Sequence, residues 1–490
     1  MYSFKKSLRI SKVIYKYMFG QVDFYKDLNV RERIAEYCGG VEGDFLTFTA
    51  EYLVGYGEFL CKEGGLSQEE FLSTSQNEFF WMLERGLDIF RSIWDRQSIL
   101  SVLDIEYFNL DYPGEPYLYP EETFEKLEPV YDAVLTVFHK LNIIPLVIMT
   151  GRGYHFTSRV ALGTETEKKL EEIGKIEDTL AGKYATSSGR RHRSVSYFHG
   201  RVFDGMGRLM EYLAHLVMKE ARGKTSIPVV CTEVACEPGR KGREAISLDL
   251  SMYGDPVYLR DVRCPFSSYQ KHKVERHKVG NEVSERTPVM VALPRRGLES
   301  LPELLKIRQN FHKAIEYATA GNTEIPDQSK GFENLIRSYK RSRLYQFHKY
   351  FDSEEHNAYW DWENTYDRFD LQSLPPCASH ALSVPNDHLL KPTNLQILTN
   401  VLAGMGWHPK HIAGLIRSKF ERDYGWGNFW MRYDAATRAD FYVRTFAGFL
   451  CDGSLDGDEL NCLSHRRKGY CWRPDCGFNL EKYKATFAEV

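Results

Sequence analysis

Ser101-Val-Leu-Asp-Ile-Glu-Tyr107 is a short apolar run in which two acids, Asp104 and Glu106, stand two residues apart. On a pleated strand, residues i and i+2 share a face, so both carboxylates point the same way, a geometry suited to binding a metal. Working outward, Ile143-Ile-Pro-Leu-Val-Ile-Met-Thr150 reads as a buried strand that runs into the tight turn Gly151-Arg152-Gly153. Ile227–Glu233 and Ala245–Leu250 are further strand segments, and Arg208–Ala221 carries apolar residues at helical spacing. A third acid, Asp249, lies inside Ile246-Ser-Leu-Asp-Leu250, where a carboxylate needs a partner or a metal to be tolerated. Taken singly, each acid also fits a solvent-facing position on an edge strand. Together on one sheet face they would repel unless divalent cations neutralise them. Two Mg²⁺ or Mn²⁺ ions about 4 Å apart are the standard device for phosphoryl transfer.

The turn adds phosphate-binding chemistry. Thr150-Gly-Arg-Gly-Tyr-His-Phe156 offers permissive backbone, a guanidinium and an imidazole within a few residues, and Arg152 and His155 can donate to polyphosphate oxygens. Downstream of Asp249, Arg260-Asp-Val-Arg-Cys-Pro-Phe-Ser-Ser-Tyr-Gln-Lys271 is a second basic segment able to complete a triphosphate cradle.

A chain of 490 residues exceeds one ordinary core, and about 150 residues per domain suggests two to four units. Residues 1–95 alternate helical patterns around a break at Gly39-Gly40; strand signals follow and stop after Pro294. The expected division is a catalytic unit over 1–295, a helical connector over 296–365, and a mostly helical, cysteine-bearing unit over 366–490. No run of about 18 uncharged apolar residues is present to span a bilayer, and the N-terminus lacks a secretory pattern, so no membrane partner and a cytoplasmic location are expected. The net charge of −3 does not decide for or against nucleic acid, because local clusters attract phosphate. Three basic clusters occur: Arg190, Arg191, His192, Arg193 and Arg201; Arg337, Lys340, Arg341 and Arg343; and Arg466, Arg467 and Lys468. Each is also compatible with a merely solvated surface.

Asp104-x-Glu106, the Thr150–His155 turn and the lone Asp249 resemble, in order and spacing, the archaeo-eukaryotic primase superfamily. Its small subunit follows the lone Asp with a basic-x-Pro-x-Ser-x-His-x-Lys segment, and Arg263-x-Pro265-x-Ser267-x-Tyr269-x-Lys271 resembles it closely. Tyr269 replaces the His, so no role is carried to that position, and the Gly-Arg-Gly turn is one residue shorter than in cellular primases. The resemblance implies an α+β catalytic domain with a mixed or antiparallel sheet and an RRM-like core. It also implies metal binding by Asp104, Glu106 and Asp249, with Arg152, Gly153, His155, Arg263, Ser267 and Lys271 around the incoming nucleotide.

Ten cysteines in a reducing compartment raise the question of metal before that of disulfides. Cys231, Cys236 and Cys264 lie in apolar strand contexts and read as core thiols. The tail spacing Cys462-x8-Cys471-x4-Cys476 lacks the paired Cys-x2-Cys of a zinc ribbon. A Pro-Pro-Cys377 start, two helical stretches (395–403 and 408–420) and widely separated further cysteines resemble the C-terminal domain of the primase large subunit, where four cysteines hold a [4Fe-4S] cluster. That resemblance implies Cys377, Cys462, Cys471 and Cys476 as ligands, with Cys451 the rival for Cys462 and Zn²⁺ the rival for iron and sulfur. Aromatic side chains are frequent in this half, among them Tyr359, Trp360, Trp362, Trp407, Trp426, Phe429, Trp430 and Trp472. Most read as core. Those beside Arg432, Arg466 and Arg467 suit base stacking.

The expected activity is therefore a primase-polymerase that starts and extends primers on single-stranded DNA from NTPs or dNTPs. A primer-extending repair or lesion-tolerant polymerase that cannot initiate is the nearest alternative, and a non-catalytic single-stranded DNA-binding protein is the alternative of another class. No Gly-x4-Gly-Lys-Ser/Thr motif occurs, so a separate replicative helicase is the expected partner.

Overall fold

The computed structural model describes residues 20–62, 72–74, 76–176, 196–255, 261–383, 391–422, 434–452 and 460–484. The cluster at Arg190–Arg193 and the residues Trp426, Phe429, Trp430 and Arg432 lie outside the described residues. The chain is α+β, with mixed and antiparallel sheets.

Among the described residues, twelve strands form three sheets. In chain order they are β1 (Leu53–Tyr56), β2 (Leu72–Thr74), β3 (Asp88–Arg91), β4 (Ser98–Asn109), β5 (Leu146–Met149) and β6 (Gly153–Ala161). There follow β7 (Val229–Cys231), β8 (Glu244–Asp249), β9 (Val262–Arg263), β10 (Ser268–Tyr269), β11 (Met290–Val291) and β12 (Leu293–Pro294). The six-stranded sheet runs β12-β5-β6-β4-β8-β7; its pairs are antiparallel except β7–β8, which is parallel. A four-stranded antiparallel sheet, β2-β1-β3-β9, and the β10–β11 pair complete the set.

The four-stranded sheet corrects the expectation that residues 1–95 are helical. β1 and β3 are four residues each and buried on both faces, so they show no period-2 alternation in the sequence. The Gly-Arg-Gly turn also differs from expectation, because β6 begins at Gly153 and His155 sits inside a strand rather than in a flexible loop.

Strand β4 is the spine of the large sheet. Its odd positions, Leu103, Ile105 and Tyr107, face the Pro120–Lys140 and Tyr197–Ala221 helices, where Tyr131 and Phe138 meet Tyr154 and Phe156 of β6. Pro120, Pro392 and Pro409 each open a helix at a position whose N–H has no helical acceptor. One continuous buried apolar cluster runs from Phe24 through the large sheet to Leu480. Buried ion pairs cross between its halves. Arg444 Nε donates to Glu211 Oε1 at 3.0 Å, and Arg208 NH1 donates to Asp352 Oδ2 at 2.7 Å. The backbone N–H of Ala235, just beyond β7, donates to Thr393 Oγ1 at 2.8 Å, tying the sheet edge to the Pro392–Gly404 helix.

Candidate functional site

Register builds the carboxylate cluster. Asp104 of β4 is paired with Asp249 of β8 on one side and with His155 of β6 on the other, while Glu106 is paired with Ser247 and Gly153. Residues directly opposite on neighbouring strands share a face, so all three carboxylates and the imidazole lie on the face turned away from the two long helices. Two like charges directly opposite are destabilising unless a cation or proton intervenes. Burial pushes Asp104 up to about 6; His155 pulls it down, and Glu106 and Asp249 push it further up. His155 Nε2 lies 3.5 Å from Asp104 Oδ2. Burial opposes charging of that imidazole, yet Asp104 and Glu106 win, and its pKa is raised. Asp249 Oδ1 accepts from the Ser251 backbone N–H at 2.9 Å, which fixes the carboxylate at the strand end.

Glu106 differs from the other two acids. It accepts from Arg152 NH2, which also donates to Glu233 Oε1 at 3.1 Å. Burial raises the Glu106 pKa, but Arg152 and then Lys271 hold the carboxyl at about 2. Arg152 and Lys271 therefore both come to the acidic face. Asp104 Oδ1, His155 Nδ1 and the Ser247 hydroxyl are sealed from solvent without hydrogen-bond partners. Of these, the Asp104 and Ser247 oxygens are hard donors of the kind that suit Mg²⁺ or Mn²⁺, although among the described residues no three His, Cys or acidic side chains close onto one point.

The two glycines act differently from expectation. A Cβ on Gly151 would lie inside the Tyr269 ring, and one on Gly153 would lie on the Ile105 carbonyl oxygen of β4. Their bareness admits protein atoms, which removes the need to invoke a phosphate. Ser267 is also reassigned. Its hydroxyl is fully buried, accepts from the Ile89 N–H at 2.6 Å and donates to Ser268 O at 3.1 Å, so it pins β3 rather than facing the site. Arg263 is held by Asp88, with NH1 2.7 Å from Oδ2, and its guanidinium lies between the Phe90 and Tyr269 rings. Its charge still reaches His155, but its hydrogen bonding is directed to Asp88 and Ser268.

Asp88 is the organiser that sequence inspection passed over. It is fully buried and also accepts from Ser268 Oγ, Gln270 N and Gln270 Nε2, thereby fixing the whole Arg263–Lys271 segment. An acid in the apolar stretch Leu87-Asp-Ile-Phe90 is the same signal that singled out Asp249. Arg308 is a second missed residue. It is fully buried, and its NH1 donates to Thr150 O at 2.7 Å, bracing the turn from beneath.

At the other end of the molecule, Cys377, Cys462, Cys471 and Cys476 line one small cavity, together with Pro375, His465 and Arg473. Burial raises the Cys377 thiol to about 12, and Cys471, Cys462 and Cys476 add to the rise, which places all three near Cys377. The Leu480 N–H donates to Cys462 Sγ at 3.4 Å. Cys451 is buried in the Ala435–Asp452 helix and is not part of this wall. Four thiols lining one cavity suit an iron–sulfur cluster or a zinc ion, although among the described residues no three Cys, His or acidic side chains are grouped closely enough to hold a metal ion. Cys231, Cys236 and Cys264 are buried thiols on or beside strands. Trp472 is 43% exposed and stacks on His380 at 3.9 Å beside this centre; Trp360 is 86% exposed, and Trp362 is fully buried. No known family model, curated protein or solved structure matches the chain.

Proposed function

We propose that the chain is a template-dependent nucleotidyltransferase that starts and extends primers on single-stranded DNA. The observation that carries the reading is the register that sets Asp104 opposite both Asp249 and His155, with Glu106 two residues along on the same face. The resemblance of Asp104-x-Glu106, the Thr150–His155 segment, Asp249 and Arg263–Lys271 to the archaeo-eukaryotic primase superfamily supplies the direction, including an RRM-like catalytic core. The two alternatives, extension without initiation and binding without catalysis, predict the absence of de novo products and of any incorporation, respectively.

Asp104, Glu106 and Asp249 would hold two Mg²⁺ or Mn²⁺ ions. Such ions, when bound, activate a 3′-hydroxyl and stabilise the charge of the α-phosphate transfer that releases pyrophosphate. The chain's own residues do the rest. His155, whose pKa Asp104 raises, can donate to a phosphate oxygen. Arg152 and Lys271 already come to the acidic face and can turn their donors to the triphosphate of an NTP or dNTP. Arg263, clamped by Asp88, contributes its charge and holds the segment that carries Lys271. Cys377, Cys462, Cys471 and Cys476 would hold a [4Fe-4S] cluster, and Arg466, Arg473 and Trp472 around it suit a single-stranded template through phosphate pairing and base stacking. Labelled-nucleotide incorporation on a primed template, comparing the intact chain with Asp249→Asn, tests the catalytic half directly. Full incorporation by the variant would overturn it.

A further inference from the structure

The strands of the carboxylate face end against the cysteine centre. β4 carries Asp104 and Glu106, β8 carries Asp249, and their shared ladder ends at the Asn109–Glu244 pair. Just beyond it, the Leu110 N–H donates to the Arg243 carbonyl at 3.0 Å, and the Arg243 N–H donates to Asp111 Oδ2 at 2.8 Å. The Arg243 side chain closes this corner, with Nε 3.1 Å and NH2 2.6 Å from Asp111 Oδ1. Its third nitrogen, NH1, donates to the Lys468 carbonyl oxygen at 2.7 Å. Lys468 is the C-cap of the Cys462–Arg467 helix and stands between Cys462 and Cys471 in the chain. One planar side chain thus holds the end of β4 with one edge and the cysteine-bearing helix with its remaining nitrogen. Lysine, a single ammonium, does not reproduce that two-sided fork.

Two neighbouring features fit this tie. Gly469 has φ +81°, and a Cβ there would lie 3.0 Å from Arg243 NH1, so its bare backbone makes room for the guanidinium. Arg467 NH1 donates to Glu237 Oε2 at 2.9 Å, joining the same helix to the segment that leads into β8. Arg467 and Glu237 are 55% and 38% exposed against 25% and 34% for Arg243 and Asp111, so solvent weakens this second tie more. At about 3.3 Å per residue, Asp249 stands about 20 Å along β8 from Arg243. Arg243 therefore acts on the carboxylate face through the strands and not by touching the reacting atoms.

We propose that Arg243 is the positioning residue that sets the cysteine centre against the carboxylate face and that chain initiation depends on it. The dependence on initiation rests on the primer-synthesis reading. The first dinucleotide has no primer to hold it, so the part that grips template and first nucleotide has to stand in fixed relation to the metal-binding strands. A primer end already paired with its template brings its own register.

Hydrogen exchange read by mass spectrometry, together with synthesis with and without a primer, tests the proposal on the full chain in Arg243→Ala, Arg243→Lys and Gly469→Ala. Amides of residues 462–470 should exchange about tenfold faster in each variant, as loss of a hydrogen bond allows, with those of β4 and β6 unchanged. De novo products should fall about ten- to a hundredfold, the scale of a misplacement far from the chemistry, while extension of a supplied primer stays within about twofold of wild type. Gly469 is exposed and outside the helix, so that variant keeps the test valid if Arg243→Ala melts early. Unchanged exchange over 462–470, or initiation and extension falling by the same factor, would overturn the proposal. A wild-type chain that incorporates nothing would instead remove the primer-synthesis reading, and the exchange data alone would then decide whether Arg243 holds the centre.

Discussion

Asp104, Asp249 and His155 meet because three strands run in register, whereas Cys377, Cys462, Cys471 and Cys476 meet without any strand at all. The first site is made of neighbours on a pleated face, each backbone fixed by ladder hydrogen bonds. The second draws on the start of the Pro376–Ser383 helix, the Cys462–Arg467 helix and the irregular segment after it. A sheet can force like charges together and hold them in a costly arrangement, because register leaves them nowhere to go. A cavity framed by short helices and loops has no such enforcement and relies on what fills it for part of its stability.

The largest effect expected from that difference is at Asp249. Asp249→Ala should remove incorporation by about 10³-fold or more while leaving the fold intact, because the ladder of β8 does not depend on the side chain. Circular dichroism and primer extension read the two separately. At the cysteine end the consequences should be reversed. Cys462→Ser or Cys476→Ser should abolish the broad visible absorbance of anaerobically prepared protein and lower its melting temperature, and Cys451→Ser should leave the absorbance unchanged. Loss of colour in Cys451→Ser with retention in Cys462→Ser would exchange the two ligands, and a colourless, zinc-containing wild-type protein would remove the iron–sulfur assignment.

The carboxylate face also carries a pH signature. A carboxyl whose folded pKa is raised is most favourable to the fold when protonated, so the contribution of Asp104 is present below its unfolded value, 3.8, and is lost as pH rises through about 6. The loss is on the order of 2–3 kcal/mol. In EDTA, Asp104→Asn should therefore melt several degrees above wild type at pH 7, with the gap closing towards pH 4. Mg²⁺ or Mn²⁺ should raise the wild-type melting temperature and leave that of Asp104→Asn nearly unmoved. A gap independent of pH would show that Asp104 is not held in an unfavourable ionised state.

A smaller effect separates packing from phosphate binding in the glycine turn. Gly151→Ala should destabilise by about 1–3 kcal/mol through collision with the Tyr269 ring, and pairing it with Tyr269→Ala should give less than the sum of the two single costs in denaturant melts. Additive costs would return Gly151 to a role outside packing.

The sequence exposed much of this face and little of its support. Two acids at i and i+2 in a twelve-residue strand are legible because strand period is local. That Asp249 comes opposite Asp104 depends on antiparallel register between segments more than a hundred residues apart, which no local period encodes. Asp88 stands out locally as an acid in an apolar stretch, but the segment it organises, like the turn that Arg308 braces, is distant in the chain and is not encoded by any local pattern. β1 and β3 are not legible in the sequence because short strands buried on both faces lose their alternation. Ser267 and the glycines carried the right residue types for phosphate binding, but burial turns them to packing, and burial is a tertiary property. The Pro392–Gly404 and Pro409–Phe420 helices were legible because apolar spacing and an initial proline coincide.

The two ends of the molecule are not separable by cutting the chain. Glu211 of the long helix is buried against Arg444 and His348, so truncation near residue 365 would leave it sealed without its Arg444 partner. Point variants in the full chain are the cleaner instrument. The decisive measurement is synthesis on circular single-stranded DNA with no primer, with labelled nucleotides and Mg²⁺ or Mn²⁺, comparing wild type, Asp249→Asn and Cys476→Ser. The account predicts short de novo products from wild type, none from Asp249→Asn, and extension of a supplied primer without initiation from Cys476→Ser. De novo products from Asp249→Asn at the wild-type level would contradict it.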